Sequence, residues 1–227
     1  MLYDRRVVAL IPIKDHSERV SGKNFRAFAG KPLYHHIVHI LDRVYAVDRI
    51  IINTDSPRVS EEAPTLSDKV LVHRRPDELC GDGMSTNRIF AYDLENSDGE
   101  IYLQTHATNP LMRAETFALA LKTFVENEDA HDSLFGVTEH YSRFYDTEGR
   151  AINHDPEVLV RTQDLPPLCE ENSCVYVFTK ESFAKHGRRI GETPLMFPTP
   201  AIQSVDIDDE FQFRLAELLA LYADAAG

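Results

Sequence analysis

The sequence predicts an α/β fold, a three-layer αβα sandwich built on a mostly parallel sheet. Three observations carry that expectation. Short, β-branched apolar runs read as strands buried on both faces. Segments of helical period separate them, and the two alternate in strict order as far as His140.

Residues 6–13 (RVVALIPI) are the first such strand. Residues 31–45 then set Leu33, Ile37, Ile40, Leu41 and Val44 on one helical face. Residues 48–54 (DRIIINT) give a second strand, and residues 57–66 a short helix interrupted by Pro64. A third strand spans 69–73, a helix 85–96 and a further strand 100–105. Residues 113–127 form an amphipathic helix with Phe117, Leu121 and Phe124 inside, and 133–140 another strand. The period then breaks. Residues 141–171 are polar and carry Pro156, Pro166 and Pro167, an excursion from the sheet. Residues 173–178 (SCVYVF) and 203–207 (QSVDI) return to strand, and 209–225 close as a helix with Asp208 as N-cap. Without repeats or a flexible linker, residues 1–227 read as one domain with one excursion.

A chain of 227 residues, 43% hydrophobic and 27% charged, is globular in composition. No apolar run approaches the ~18 residues that span a bilayer, and the start shows no cleavable apolar leader. Three cysteines without CxxC spacing argue against a disulfide framework or structural zinc site, and for a reducing cytoplasm. A net charge of −13 excludes general affinity for nucleic acid. Any polyanion partner is small and caught locally.

One stretch reverses the charge. Between residues 14 and 31, Lys14, Arg19, Lys23, Arg26 and Lys31 face only Asp15 and Glu18. It follows the first strand, where open parallel sheets bind their ligands. It has neither a Walker A pattern nor GxGxxG, since Gly22 and Gly30 are its only glycines. Side chains therefore hold the anion, through charge-assisted hydrogen bonds; the alternative is a merely solvated basic loop.

These residues carry a resemblance. Ile11, Pro12, Ser17, Lys23, Asn24, Gly30, Lys31, Pro32 and Leu33 resemble the first motif of the acylneuraminate cytidylyltransferase family. Further blocks resemble that family in the same order: RRPDEL (74–79), DGMST (82–86), LQTHATNPLMRAET (103–116), RTQDLPPLCEENSCVYVF (161–178) and QSVDIDDEFQFRLAE (203–217). The resemblance implies a nucleotide-diphospho-sugar-transferase-like (Rossmann-like) sandwich. It implies a Mg²⁺-dependent enzyme that transfers CMP from CTP to a sialic-acid-like or other 2-keto sugar acid and releases pyrophosphate. It also implies a homodimer in which the excursion joins two subunits and lends residues to the neighbouring pocket.

Carried over residue by residue, the resemblance gives Lys14, Lys23, Asp206 and Asp208 to catalysis. Pro12, Ser17, Arg19, Lys23, Asn24, Arg75 and Ser85 go to the nucleotide, and Gln104, Arg143, Arg161, Gln163 and Asn172 to the acceptor. Asp206 and Asp208, at i and i+2 near a strand end, project from one face as Mg²⁺ ligands, unless Asp208 only caps the last helix and Asp206 is a surface acid. Arg75 reads the nucleotide or pairs with Asp77 or Glu78. Gln104 ends a central strand, where a buried amide needs partners and a ligand can be one. Gln163 has an equally good structural reading. His35 and His39 have zinc spacing but lack the HExxH glutamate, so they read as a helix surface; no cysteine reads as a nucleophile. Where the family has Arg-Gly-Gly this chain has Lys14, Asp15 and His16, and Ser173 stands where it has Gly. Those departures leave two alternatives: a phosphonate or unusual octulosonic acid as acceptor, or a non-catalytic CTP-binding regulatory protein.

Overall fold

A computed structural model of the chain describes residues 4–16, 20–81 and 83–226, without the side chains of 223–226. Ser17 and Arg19 lie outside the described residues. The strands are β1 (Val7–Ile13), β2 (Ala27–Phe28), β3 (Lys31–Pro32), β4 (Arg49–Thr54), β5 (Val70–Arg74), β6 (Ile101–Gln104), β7 (Ser133–His140), β8 (Leu168–Thr179) and β9 (Pro194–Pro198). The helices are α1 (Leu33–Asp42), α2 (Pro57–Glu62), α3 (Thr86–Glu95), α4 (Ala114–Asn127), α5 (Lys180–His186) and α6 (Glu210–Ala226).

Seven strands form one sheet in the order β5-β4-β1-β6-β8-β7-β9, while β2 and β3 pair as a separate ribbon. β1 lies between β4 and β6, parallel to both. The chain moves outward from β1 through β4 to β5, then returns to place β6 on β1's other side. The order therefore reverses at β1, and a crevice opens beyond the carboxyl ends of β1, β4 and β6. Within the seven-stranded sheet, as described, β8 alone runs antiparallel to its neighbours, β6 and β7.

Burial on both faces explains why the first strand is apolar without alternation. Val7, Ala9, Ile11 and Ile13 pack with Tyr34, Ile37 and Leu41 of α1 and Phe117, Leu121 and Phe124 of α4. Val8 and Leu10 turn the other way, onto Phe90 and Leu94 of α3 and Phe183 of α5. A third cluster joins Phe28 and Leu33 to Ile207, Phe213 and Ala216, fastening the loop after β1 to the start of α6. Pro64 acts as expected: α2 ends at Glu62 and a 3₁₀ turn, Ala63–Thr65, follows.

The structure corrects three expectations about the last third and adds one strand. β8 begins at Leu168, so the excursion closes before 168 rather than at 171. Residues 203–207 are not a strand. Their backbone bonds within a turn at Pro200 and across to Thr108, so they cross the sheet's end instead of joining it. The place beside β7 belongs to β9, which has proline at both ends; an edge strand tolerates proline where a central one does not. The cap of α6 is Asp209, not Asp208. Gln212 N–H donates to Asp209 Oδ1 (2.8 Å), and Asp209 N–H donates back to Gln212 Oε1 (3.0 Å), a reciprocal capping box.

Candidate active site

The crevice is assembled from buried polar groups at the strand ends. Arg75, 4% exposed, follows β5 and reaches back beneath it. Its Nε donates to Asn53 Oδ1 (2.8 Å) and its Nη2 to the Asn53 (2.9 Å) and Ile13 (3.3 Å) carbonyls. One guanidinium thus ties the ends of β1 and β4 together. Among the described residues its ion-pair partner is Asp55 at 3.9 Å, not Asp77 or Glu78. Behind it, Asn53 Nδ2 and His73 Nδ1 both meet Asp93 Oδ1 at 2.7 Å. Burial raises the Asp93 carboxyl, and those two partners hold it down in part.

The basic loop leaves β1 after half-buried Pro12 and buried Ile13 and turns at Gly22, whose φ of +60° suits glycine. A 3₁₀ turn follows, Lys23–Phe25. Asn24, 7% exposed, donates to the Lys14 carbonyl (3.0 Å), holding the loop's two ends together. Lys14 Nζ lies 3.5 Å from the Gly81 carbonyl, at the rim. Lys23 Nζ donates to the Ile207 carbonyl. Arg26 pairs with Glu210 and lies 4.1 Å over the Phe213 ring, so it is a structural cation.

Ile207 therefore brings its neighbours Asp206 and Asp208 to the loop. Its N–H is held by the Thr108 carbonyl (3.0 Å), and fully buried Asn109 extends Nδ2 toward Asp206 (3.4 Å). Burial raises the Asp206 carboxyl above its ordinary value. The Asp208 charge adds to the rise, while a Thr108 hydrogen bond and the Lys23 charge oppose it. Both aspartates line a cleft of about 580 Å³ with Glu171, Asn172, Ser173 and Phe211. Two mutually repelling carboxylates in such a place suit a hard divalent cation. Among the described residues no His/Cys/Asp/Glu group of three or more forms a metal cage. A pair of carboxylates beside an open cleft is a donor set that fits Mg²⁺, which takes one or two carboxylates and completes its shell with water and phosphate oxygens.

On the other side of β8 a second cavity, of about 400 Å³, is lined by Ser85, Glu171, Arg188 and Arg189 among others. Ser85 precedes α3 as its N-cap residue and makes no side-chain cap hydrogen bond. Gln104, fully buried at the end of β6, bonds His106 Nε2 (3.0 Å) through Nε2 and accepts from Arg189 Nη1 (2.8 Å). Burial pushes the His106 imidazole down to about 3, and the charges of Arg189 and Lys23 add to the effect. Sequence reasoning missed Arg189; the available signal was a basic pair, Arg188–Arg189, bracketed by Gly187 and Gly191.

The remaining expected residues separate. Asn172 lines the cleft, but its amide ties β8 to Thr138 (3.1 Å) and Thr199 (2.6 Å). Ser173 beside it has φ +58°, the left-handed region, where β8 slips register against β7. A glycine there would carry no Cβ penalty. Arg143, Arg161 and Gln163 lie in the excursion, away from the cleft lining. Arg143 bonds the Val160 carbonyl, Arg161 pairs with Asp164 (2.7 Å), and Gln163 is exposed. His35 faces Glu62 (3.0 Å) on α2, so the helix-surface histidine is in fact a packed one.

A family model for cytidylyltransferases matches residues 8–223. The chain belongs to the cytidylyltransferase family. Among its curated relatives, this cytidylyltransferase is 24% identical over 229 residues to the CMP-N,N'-diacetyllegionaminic acid synthase of Legionella pneumophila, covering 94% of this chain and 96% of the relative. It is 23% identical over 223 residues to the pseudaminic acid cytidylyltransferase of Campylobacter jejuni, covering 93% and 95%. An N-acylneuraminate cytidylyltransferase of Streptococcus agalactiae is 22% identical over 95% of this chain, which spans 54% of that longer protein. In fold, the cytidylyltransferase matches a CMP:2-keto-3-deoxy-manno-octonic acid synthetase complexed with CTP, with a TM-score of 0.65 at 16% identity over 97% and 99% of the two chains. Among the described residues no helix is long and apolar enough to cross a membrane.

Proposed function

We propose that this cytidylyltransferase joins CMP from CTP to the hydroxyl of a 2-keto sugar acid, releasing pyrophosphate, with Mg²⁺ and as a homodimer. The observation that carries the reading is the junction at Ile207. A lysine of the anion loop and two aspartates of the closing segment meet there, beyond the sheet's switch point. Relatives named for legionaminic, pseudaminic and N-acylneuraminic acids support the acceptor class.

In this reading Lys14 and Lys23 neutralise the leaving pyrophosphate, with Arg19 and Ser17 in the same loop. Pro12, Asn24, Arg75 and Ser85 hold and select the nucleotide. Asp206 and Asp208 hold Mg²⁺, which when bound supplies positive charge to phosphate oxygens as negative charge builds on them. Gln104 and Asn172 border the acceptor, and Arg143, Arg161 and Gln163 reach it from the other subunit's excursion. The rest of catalysis is alignment: an acceptor oxygen is held in line with the α-phosphorus and the pyrophosphate opposite.

The test is pyrophosphate release from CTP, with and without Mg²⁺, across a panel of 2-keto sugar acids and phosphonates, beside calorimetric binding of the four nucleoside triphosphates. CTP-selective binding and release with one of the keto acids is expected. Equal affinity for all four triphosphates, or release with phosphonates alone, overturns the reading.

A further inference from the structure

We infer that Arg189 determines acceptor specificity by gripping the carboxylate of the 2-keto acid. The inference rests on the reaction proposed above and names a residue for it that neither the sequence motifs nor the excursion supply.

Arg189 is held as a built binding group is held. Its guanidinium lies 3.7 Å over the Tyr176 ring, bonds Gln104 Oε1 (2.8 Å) and donates through Nη2 to the Tyr176 hydroxyl (3.0 Å). Gln104 and Tyr176 are both fully buried, so the fork is fixed from behind. Its front lines the cavity beside Ser85. There it meets an anion of its own chain: Glu171, 44% exposed, whose Oε1 lies 3.6 Å from Nη2 and accepts from the Tyr176 hydroxyl. Glu171 is the side chain common to this cavity and the cleft of Asp206 and Asp208. An internal carboxylate thus stands where the two spaces meet, against an arginine that presents planar paired donors.

Chemistry puts the acceptor's own carboxylate in that place. In the cyclic hemiketal of a 2-keto sugar acid the carboxylate sits on the carbon that bears the attacking hydroxyl, so it must lie beside the α-phosphorus. His106 stands between the basic loop and the cavity: it touches Gln104, which holds Arg189, and burial first, then the charges of Arg189 and Lys23, lower its imidazole. His106 stays neutral there and accepts rather than repels. The incoming carboxylate displaces Glu171, exchanging one partner of the guanidinium for another.

The experiment compares wild type with Arg189→Gln, Arg189→Lys, Glu171→Gln and Arg161→Gln. It measures CTP binding calorimetrically, and KM and kcat for N-acetylneuraminic acid, 3-deoxy-manno-octulosonic acid and their methyl esters. Arg189→Gln is expected to raise the acid's KM tenfold or more, on the order of a lost charge-assisted pair, and to abolish the preference for acid over ester. CTP affinity stays within about twofold, the size of ordinary non-contact effects. Arg189→Lys keeps the charge, loses the fork and recovers part of the loss. Glu171→Gln removes the competing anion and lowers the acid's KM. A rise shared equally by acid and ester, or acid preference lost with Arg161→Gln but kept with Arg189→Gln, overturns the assignment. Retained CTP binding with turnover of neither acid rejects the assignment through its acceptor class; loss of CTP binding in wild type rejects the underlying reaction as well.

Discussion

Two segments leave the sheet with arginines and lysines on them, and they are held in opposite ways. The loop after β1 is tied far along the chain: Arg26 pairs with Glu210 and Lys23 with Ile207, each 184 residues away. The excursion after β7 is tied to itself: Arg161 to Asp164, Arg150 to Asp146 and Arg143 to Val160. Long-range ties fix the loop whenever the domain folds. Local ties of this kind, the exposed ion pairs above all, are weak in water and leave the excursion's side chains to be ordered by whatever lies against it. Tyr141, Tyr145, Val158 and Leu159, all around half exposed or more, give that contact an apolar component.

The comparison breaks first at the long-range end. Asp206→Asn is expected to reduce kcat about a hundredfold, the size of one transition-state charge interaction, while the protein stays folded. A folded Asp206→Asn protein with normal turnover would remove the aspartates from the chemistry. The same carboxyl gives a stability sign. Its folded pKa is raised, so its contribution favours the folded state below the ordinary carboxylate range and is lost as pH rises through the folded value. Without metal, wild-type thermal stability should therefore drop over that rise, and Asp206→Asn should flatten the drop. Calorimetry from about pH 3.5 to 7, spanning the usual carboxylate range, reads it directly.

Next in size is the loop cation. Lys14→Ala is expected to lower kcat and kcat/KM together by about tenfold or more, because charge at the leaving group matters most in the transition state. Lys14→Arg should restore part of it, and an effect confined to the KM for CTP would make Lys14 a ground-state contact. The excursion then gives the contrasting result. Arg161→Ala should leave the melting temperature unchanged, its pair with Asp164 being largely exposed, yet raise the acceptor's KM. If a homodimer is the active form, specific activity should also fall on dilution. Unchanged KM and dilution-independent activity would make the excursion a passive appendage.

The smallest expected effect sits where the two segments' supports meet. Ser173→Gly relieves a left-handed backbone and loses the weak contact from the Tyr176 hydroxyl (3.3 Å). A net gain of about 0.5 kcal/mol is expected, strain relief less the entropy of an added glycine, and chemical denaturation measures it. Destabilisation would mean the serine hydroxyl outweighs its backbone cost.

Legibility followed the same division. Strands β1, β4 and β6 were readable because burial on both faces leaves a continuous apolar run, β5 and β7 because their β-branched and apolar residues survive partial exposure, and the basic loop because it opposes the charge of the chain. α5 was missed although its signals were present: Thr179 accepts from Ser182 N–H (3.0 Å), and Gly187 ends it at φ +65°. β9 hid behind Pro194 and Pro198, while QSVDI looked like a strand because its composition suits one. Its destiny as a crossing segment depends on Thr108 and Lys23, partners that no local pattern contains. Arg189 showed locally only as half of a basic pair between glycines, since its importance comes from Tyr176 and Gln104.

The contact between Lys23 and the Ile207 carbonyl has a thermodynamic corollary. Any anion that draws the ammonium toward itself loosens the strap carrying Asp206 and Asp208, and any cation that settles on the aspartates changes the competition for Lys23. In the proposed reading, occupancy of the phosphate side and of the carboxylate side is then a single linked equilibrium. Whatever factor the first ligand imposes on the second's affinity, the second must return to the first.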